Sequence, residues 1–273
     1  ERLARGPVSS ASSLAPESLG GPPVPQRRVI DATWLGRRPY LETWGLQEAL
    51  AARVRAGATE RLLLLEHDPV YTIGRRGSLD HLLASPEELR ARGATAYRVD
   101  RGGDITYHGP GQLVGYPILH LGDAPDLVAY VRSIEGALID TLAMDGVSAR
   151  TIAGKTGVWV ELADGREAKI AAIGVRVSRG VTTHGFALNV STDLDAFGRM
   201  VPCGFAHEVA SVSRLGTSAS MMDIAERCAL ALSERLGRSL RWSRTVPVTT
   251  DADIPLDSPV RGAADLLAEP VPA

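Results

Sequence analysis

Two dipeptides, Asp164-Gly165 and Arg179-Gly180, constrain the fold of this chain more than any other feature, because each separates short apolar runs rich in Val, Ile and aromatic residues. Pairs of this kind mark the tight turns of β-hairpins. The runs they join, residues 156–162, 169–177 and 181–190, are expected to lie side by side as antiparallel strands. Residues 61–67 and 112–121 are further strand candidates. Three stretches show helical spacing of apolar residues and run into a glycine: 40–56, 126–146 and 220–237. In the first of them Leu41, Trp44, Leu46, Leu50 and Val54 fall near one face. Hairpins and helices mixed along one chain predict an α+β fold, with a mixed, largely antiparallel sheet flanked by helices.

Residues 1–28 are rich in Pro, Gly and Ser without apolar periodicity, and residues 246–273 repeat that character with more acid. Both are expected to be flexible tails around a single domain, 29–245. With 44% hydrophobic and 23% charged residues in 273, the chain lies far from the composition of disordered proteins. A net charge of −2 gives no basic footprint for nucleic acid, so no nucleic-acid partner is expected. No apolar run approaches the roughly 20 residues that span a bilayer, so no membrane partner is expected either. Two cysteines, Cys203 and Cys228, make no disulfide framework, and the N-terminal residues lack the apolar core of a signal peptide. These features place the protein in the cytoplasm by expectation.

Several motifs can be set aside on structural grounds. Gly154-Lys155-Thr156 ends like a phosphate-binding loop, but Ala149 stands where that loop needs glycine, and a strand pattern follows where a helix should begin. Residues 109–115 fail the dinucleotide fingerprint in the same way. The six histidines include no close pair, and Cys203 with His207 offers two ligands where a zinc site needs at least three, so no metal is expected.

Three features remain. Residues 101–111 carry four glycines with Arg101, Thr106, Tyr107 and His108 ahead of a firmly apolar strand, which reads as a binding loop. Cys203 sits between Pro202 and Gly204 and reads as a presented thiol, whereas Cys228 lies in an apolar helical stretch and reads as structural. A thiol needs a nearby base or cation to ionise at neutral pH. His184, His207 and Lys169 are the candidates, and spacing does not choose among them. The third feature is lysine scarcity: the 30 basic residues comprise 28 Arg and only Lys155 and Lys169. Arginine cannot deprotonate in a protein and lysine can, so both lysines are candidates for chemistry.

Residues 66–77, 101–119, 154–160, 169–190 and 202–204 together resemble the lipoyl(octanoyl) transferases, the octanoyl-acyl-carrier-protein:protein octanoyltransferases. The resemblance covers essentially all of 29–245. It implies a fold like the biotin and lipoate protein ligases, no cofactor, and a cysteine-lysine dyad in which Cys203 forms an acyl thioester and Lys169 activates it. It places substrate-binding segments at Arg101, Gly102, Gly103, Asp104, Ile105, Thr106, Tyr107 and His108, at Ala172, Ile173 and Gly174, and at Gly185, Phe186 and Ala187. His184 would line the pocket without being the base. The implied donor is octanoyl-acyl carrier protein. The implied acceptors are the lipoyl domains of 2-oxoacid dehydrogenase complexes and the glycine cleavage H protein. The chain departs from the family in the turn before the lysine, where Glu167 and Ala168 are interposed. An ATP-dependent lipoate or octanoate ligase of the same fold, and a non-catalytic lipoyl-domain binding module, are the competing readings.

Overall fold

A computed structural model describes residues 27–201, 208–217 and 219–244. Strand β1 (Val29–Arg38) leads through Pro39 into helix α1 (Tyr40–Arg55) and then into β2 (Glu60–His67). β1 and β2 pair in parallel, so α1 is the crossover between them. The helix buries Tyr40, Thr43, Trp44, Gln47, Ala51 and Val54. Leu41, Leu46 and Leu50 are only partly buried, so the buried face is rotated from the one the leucine spacing suggested. Gln47 is fully buried because a backbone donor across the interface requires its amide oxygen.

A small second sheet follows, built from β3 (Val70–Ile73), β4 (Thr95–Arg98) and β5 (Ile105–His108), with the short helix α2 (Pro86–Ala91) between β3 and β4. α2 opens with a complete capping box, in which the Ser85 hydroxyl accepts from Glu88 N–H and the Glu88 carboxylate accepts from Ser85 N–H. β3 lies in the centre, parallel to β4 and antiparallel to β5.

The chain then returns to the large sheet through β6 (Gln112–Ile118), helix α3 (Leu127–Ala143), β7 (Ala149–Ile152), β8 (Lys155–Glu161), β9 (Glu167–Ser178) and β10 (Val181–Asn189). The two-residue β11 (Glu208–Val209), helix α4 (Met221–Arg235) and β12 (Ser239–Ser243) complete the described elements. The strand order is β12-β1-β2-β6-β10-β9-β8-β7, with β11 pairing to β9. β12, β1 and β2 run parallel, β11 is parallel to β9, and the other neighbours are antiparallel, so the sheet is mixed and largely antiparallel as expected.

Both predicted hairpins are present. Arg179 and Gly180, at φ 49° and 75°, make a two-residue turn between the paired Ser178 and Val181. Positive φ at both positions matches the twist of the flanking strands. The turn at Asp164-Gly165 closes with Gly165 N–H donating to Leu162 O at 2.9 Å. The strand expected over 112–121 stops at Ile118, with His120 adding one isolated bridge to Val181.

Helices α3 and α4 cover one face of the sheet, where Ile134, Leu138, Ile224, Cys228 and Leu232 pack against Leu64, Leu113, Val158, Ile170 and Leu188. α1 covers part of the other face, against Leu63, Leu65, Val114 and Ile118. No helix of the described residues is long and apolar enough to cross a membrane.

Candidate active site

On the face of the sheet away from α3 and α4, β9 and β10 pair through small residues, with α1 packed over the β10 side. Ala172 lies opposite Ala187 and Gly174 opposite Gly185, while the intervening Ile173 and Phe186 turn to the helix side. Alternation along paired strands thus puts four residues with no side chain beyond a methyl on one patch; Gly185 and Ala187 are buried, and Ala172 and Gly174 remain partly exposed. On the reverse side the Phe186 ring lies so close to Gly115 that a Cβ there would stand 2.1 Å from its Cζ, which requires glycine at 115.

The Gly-rich loop stands beside this patch. Gly102 N–H donates to Val175 O at 3.1 Å, on the edge of β9 that β8 leaves unpaired. A Cβ at Gly174 would meet Gly102 O at 3.0 Å, so close approach of the two backbones depends on glycine there. Arg101 braces this loop from within: its guanidinium donates to Thr72 O at 2.6 Å, to Thr72 Oγ1 at 2.9 Å and to Gly102 O at 2.9 Å. Residues 74–76 add three backbone hydrogen bonds, to Asp104 O, Arg101 O and Gly103 O. Asp104 is buried, accepts from Ile105 N–H at 2.6 Å, and pairs with His81 Nδ1 at 2.7 Å.

The remaining loop residues, Ile105 to His108, form β5, with Ile105 and Tyr107 in the core of the small sheet. Thr106 is half-buried and pairs across β3 with Thr72. His108 is buried beside Gln112, whose Oε1 lies 2.8 Å from Nδ1, and burial holds its imidazole well below the ordinary histidine range. Near it His67 is also neutral, pushed down to about 4 by burial. Its Nδ1–H faces the carbonyl oxygen of Arg38 at 2.9 Å, so its Nε2 accepts from the Tyr116 hydroxyl at 2.7 Å.

His184 occupies a left-handed conformation, φ 57°, which costs a residue with a Cβ about 1 kcal/mol or more. The surroundings hold it there: His184 N–H donates to Gln47 Oε1 at 2.7 Å, and Nε2 lies 2.7 Å from Asp100 Oδ1. Asp100 in turn pairs with Arg176 Nε at 3.0 Å. Burial lowers the His184 pKa, against the pull of Asp100, so the imidazole is a buried structural donor next to the floor glycine Gly185.

Lys169 reaches the same face of the sheet through an irregularity. Ala168, Ile170 and Ala171 all pack on the helix side, and the register of β8 with β9 shifts between Val158 and Trp159. The bulge puts Lys169 on the same face as Ala172, three residues on, where a regular strand would have put the two on opposite faces. Trp159, directly opposite Lys169, lies beneath it: the Lys169 Nζ is 4.7 Å from the indole centroid. Gly157, at φ 121°, makes room for this, since a Cβ would stand 2.6 Å from Ala171 O and 3.4 Å from Lys169 Cε. Its N–H donates at 3.0 Å to the buried carboxylate of Glu135, which Arg132 neutralises at 2.5 Å.

Cys203 lies outside the described residues. The segment containing it is bounded by Val201, whose N–H donates to His81 O at 2.9 Å, and by Glu208, paired with Ala168 beside Lys169. His207 falls in the same undescribed segment. Cys228 is fully buried on α4, and burial pushes its thiol up to about 12, which disqualifies it as a nucleophile. Among the described residues no group of three His, Cys, Asp or Glu could hold a metal ion.

The structure therefore brings the Arg101 to Asp104 loop, Ala172, Gly174, Gly185, Ala187 and Lys169 to one side of the sheet, while Ile105, Tyr107 and His108 pack behind the loop and Ile173 and Phe186 turn away into the core under α3 and α4. Sequence reasoning missed Trp159, Gly157, Glu135 and Asp100. The isolated glycine in the strand pattern of 156–162 was the available signal, since such a glycine often marks a bulge or close backbone approach.

The fold and site place this chain in a known class. Residues 39–233 match the lipoyl protein ligase A/B catalytic domain, and the chain belongs to that family. Among its relatives, an octanoyltransferase of Solibacter usitatus is 53% identical over 195 residues, covering 71% of this chain and 86% of that protein. The octanoyltransferases of Chloroflexus aurantiacus and Mycobacterium leprae are 45% and 46% identical, over 76% and 80% of this chain and 94% and 93% of theirs. The fold is shared with a lipoate-protein ligase A solved with ATP, at TM-score 0.66 and 19% identity over 81% of this chain and 90% of that one. It is also shared with a bipartite lipoate protein ligase of Thermoplasma acidophilum, at TM-score 0.62 and 20% identity over 81% and 88%.

Proposed function

We propose that this chain is an acyltransferase that moves an octanoyl group from the thioester of an acyl carrier protein to the lysine of a lipoyl domain. Its kinship with octanoyltransferases at 45–53% identity supports the reaction. The observation that carries the chemistry is the bulge in β9, which sets an amine, Lys169, on the same face as the small, partly exposed Ala172 and Gly174 beside the Gly-rich loop. A surface with nothing larger than a methyl accommodates an alkyl chain laid along the strands.

In this reading the Cys203 thiol gives its proton to Lys169, and the thiolate attacks the octanoyl thioester. The C–S bond to the carrier breaks and the carrier thiolate takes the proton back from Lys169. The lipoyl-domain lysine then attacks the octanoyl-cysteine thioester as a neutral amine; its proton passes through Lys169 to the departing Cys203 sulfur. The acyl group arrives already activated as a thioester, so the cycle consumes no ATP. Connectivity supports Cys203: it is two residues from Val201, tied to His81, and five from Glu208, paired beside Lys169. The loop at Gly102 and Gly103 supplies backbone beside this surface for substrate contact. The acceptors are the lipoyl domains of 2-oxoacid dehydrogenase complexes and the glycine cleavage H protein.

Transfer from octanoyl-acyl carrier protein to an apo lipoyl domain, run without ATP, tests the reading. Transfer independent of ATP and lost in Cys203→Ala is the expected result. Transfer that requires ATP and free octanoate, and survives in Cys203→Ala, would establish a ligase instead.

A further inference from the structure

The tight turn Gly74-Arg75-Arg76-Gly77 carries two guanidinium groups beside the Gly-rich loop. Gly77 N–H donates to Gly74 O at 2.9 Å, which closes the turn with Arg75 and Arg76 at its two corners. Its backbone is fixed to the loop: Gly74 N–H donates to Asp104 O, Arg75 N–H to Arg101 O and Arg76 N–H to Gly103 O, each at 3.1 Å. Both ends need glycine, since a Cβ at Gly74 would stand 2.6 Å from Gly103 O and one at Gly77 2.7 Å from Asp104 Oδ1. Arg75 and Arg76 are exposed, and among the described residues neither side chain makes an ion pair or a hydrogen bond. Arg37, Arg90 and Arg241, exposed elsewhere on the surface, each meet a carboxylate, at 2.7, 2.9 and 2.5 Å. The carboxylates nearest the turn in the chain are engaged: Asp80 accepts from the Ser78 hydroxyl and Asp104 pairs with His81.

We propose that Arg75 and Arg76 hold the phosphate of the phosphopantetheine arm on which the octanoyl group arrives. This rests on the thioester donor proposed above. That arm ends in a phosphodiester, an anion at a set distance from the thioester, whereas the acceptor offers a lysine side chain with no phosphate. Guanidinium N–H groups match phosphate oxygens, and two on adjacent corners of one turn grip a phosphate from two sides. The turn is rigid before the phosphate arrives, so binding has to order only the two side chains. Its place suits the arm. Gly102 is bonded to Val175 on β9, and Arg75 and Arg76 are bonded to the residues on either side of Gly102. From Lys169 to Val175 the strand spans about 20 Å, at about 3.3 Å per residue. About thirteen bonds separate the sulfur of the arm from its phosphorus, or about 15 Å at about 3.3–3.6 Å for every three bonds. An arm of that length, met by the length of an arginine side chain, covers the distance.

The test compares two small donors that differ only in the phosphate, octanoyl-pantetheine and octanoyl-4′-phosphopantetheine, by their kcat/KM for transfer to an apo lipoyl domain without ATP. The wild-type protein should favour the phosphorylated donor by about 3- to 30-fold, since exposed charge pairs are individually weak and two act together here. In the double variant Arg75→Met/Arg76→Met the ratio should fall to about one. Neither side chain takes part in the turn's hydrogen bonds, so the unfolding midpoint should stay at the wild-type value. Raising the salt from about 0.01 M to about 1 M shortens the Debye length from about 30 Å to about 3 Å and should shrink the wild-type ratio in the same way. A ratio of one in the wild-type protein, or a wild-type ratio kept by the double variant, would overturn the proposal. An equal loss with both donors would overturn it too, as would a raised KM for the lipoyl domain with the donor ratio intact, which would assign the turn to the acceptor. Absence of ATP-independent transfer from either thioester by the wild-type protein is a separate result, and it would refute the octanoyltransferase reading itself.

Discussion

Replacing Gly157 by alanine should damage both stability and transfer, and comparison with Gly154, three residues earlier in the β7–β8 hairpin, separates the causes. Both glycines have positive φ, 77° at Gly154 and 121° at Gly157. At Gly154 a Cβ meets nothing within 4 Å, so Gly154→Ala carries only left-handed backbone strain, about 1 kcal/mol. At Gly157 the strain is greater, about 1–3 kcal/mol, and a Cβ would stand 2.6 Å from Ala171 O. Relief requires the β8 backbone to shift, which pulls the Gly157 N–H from the buried Glu135 carboxylate and adds about 1–3 kcal/mol for an unmet buried acceptor. The expected total for Gly157→Ala is about 2–6 kcal/mol. The same shift moves Trp159, the platform of Lys169, so the fraction that remains folded should also transfer slowly. Urea unfolding and steady-state transfer at a temperature where both variants are folded measure the two effects. Equal stability losses for the two variants, or a normal turnover in folded Gly157→Ala, would refute the account of the bulge.

Three further outcomes are expected. Lys169→Arg keeps a positive charge but cannot accept a proton, and should lose about 10² to 10⁴ in transfer rate, the usual share of general acid-base catalysis; near-normal turnover would leave charge stabilisation of the thiolate as its role. His67 is neutral in the folded protein with a pKa near 4, against about 6.5 unfolded, so its contribution to stability is present above pH 6.5 and is lost as pH falls toward 4. At pH 5 the loss from this residue is about 2 kcal/mol, with buried His108 and His184 acting in the same direction, and urea midpoints at pH 8 and pH 5 for wild type and His67→Gln should show the variant less acid-sensitive. A chain limited to residues 29–245 should fold and transfer octanoate within about tenfold of the full chain, and a larger loss would show that an end segment contributes to the domain.

The parts of this structure legible in the sequence are those written in local chemistry. The Arg179-Gly180 and Asp164-Gly165 turns are readable because a tight hairpin needs those residue types wherever it occurs. The 101–111 loop stands out because four glycines cannot be accounted for by a regular element. β1 was hidden because its ten residues mix Asp31, Thr33 and two arginines with apolar ones and bend at Gly36, a pattern set by neighbours on both sides. β12 is five partly exposed residues that make sense only as a partner for β1. α1 is legible as a helix but its buried face is not, since Gln47 and Thr43 occupy that face and leucines flank it. In the site, Lys169 stands out by its rarity. Its platform does not, because Trp159 in a strand pattern reads as core, and the bulge that turns Lys169 toward Ala172 exists only in the register between β8 and β9.

The central claim is that an acyl group passes through Cys203 in a site built around Lys169. Intact mass of the protein after incubation with octanoyl-acyl carrier protein, without acceptor or ATP, tests it most directly. The account predicts a mass gain of one octanoyl group that is removed by hydroxylamine, maps to the peptide containing Cys203, persists in Cys228→Ala and is absent from Cys203→Ala. An adduct of equal occupancy in Cys203→Ala, or transfer to a lipoyl domain by that variant at the wild-type rate, would contradict it.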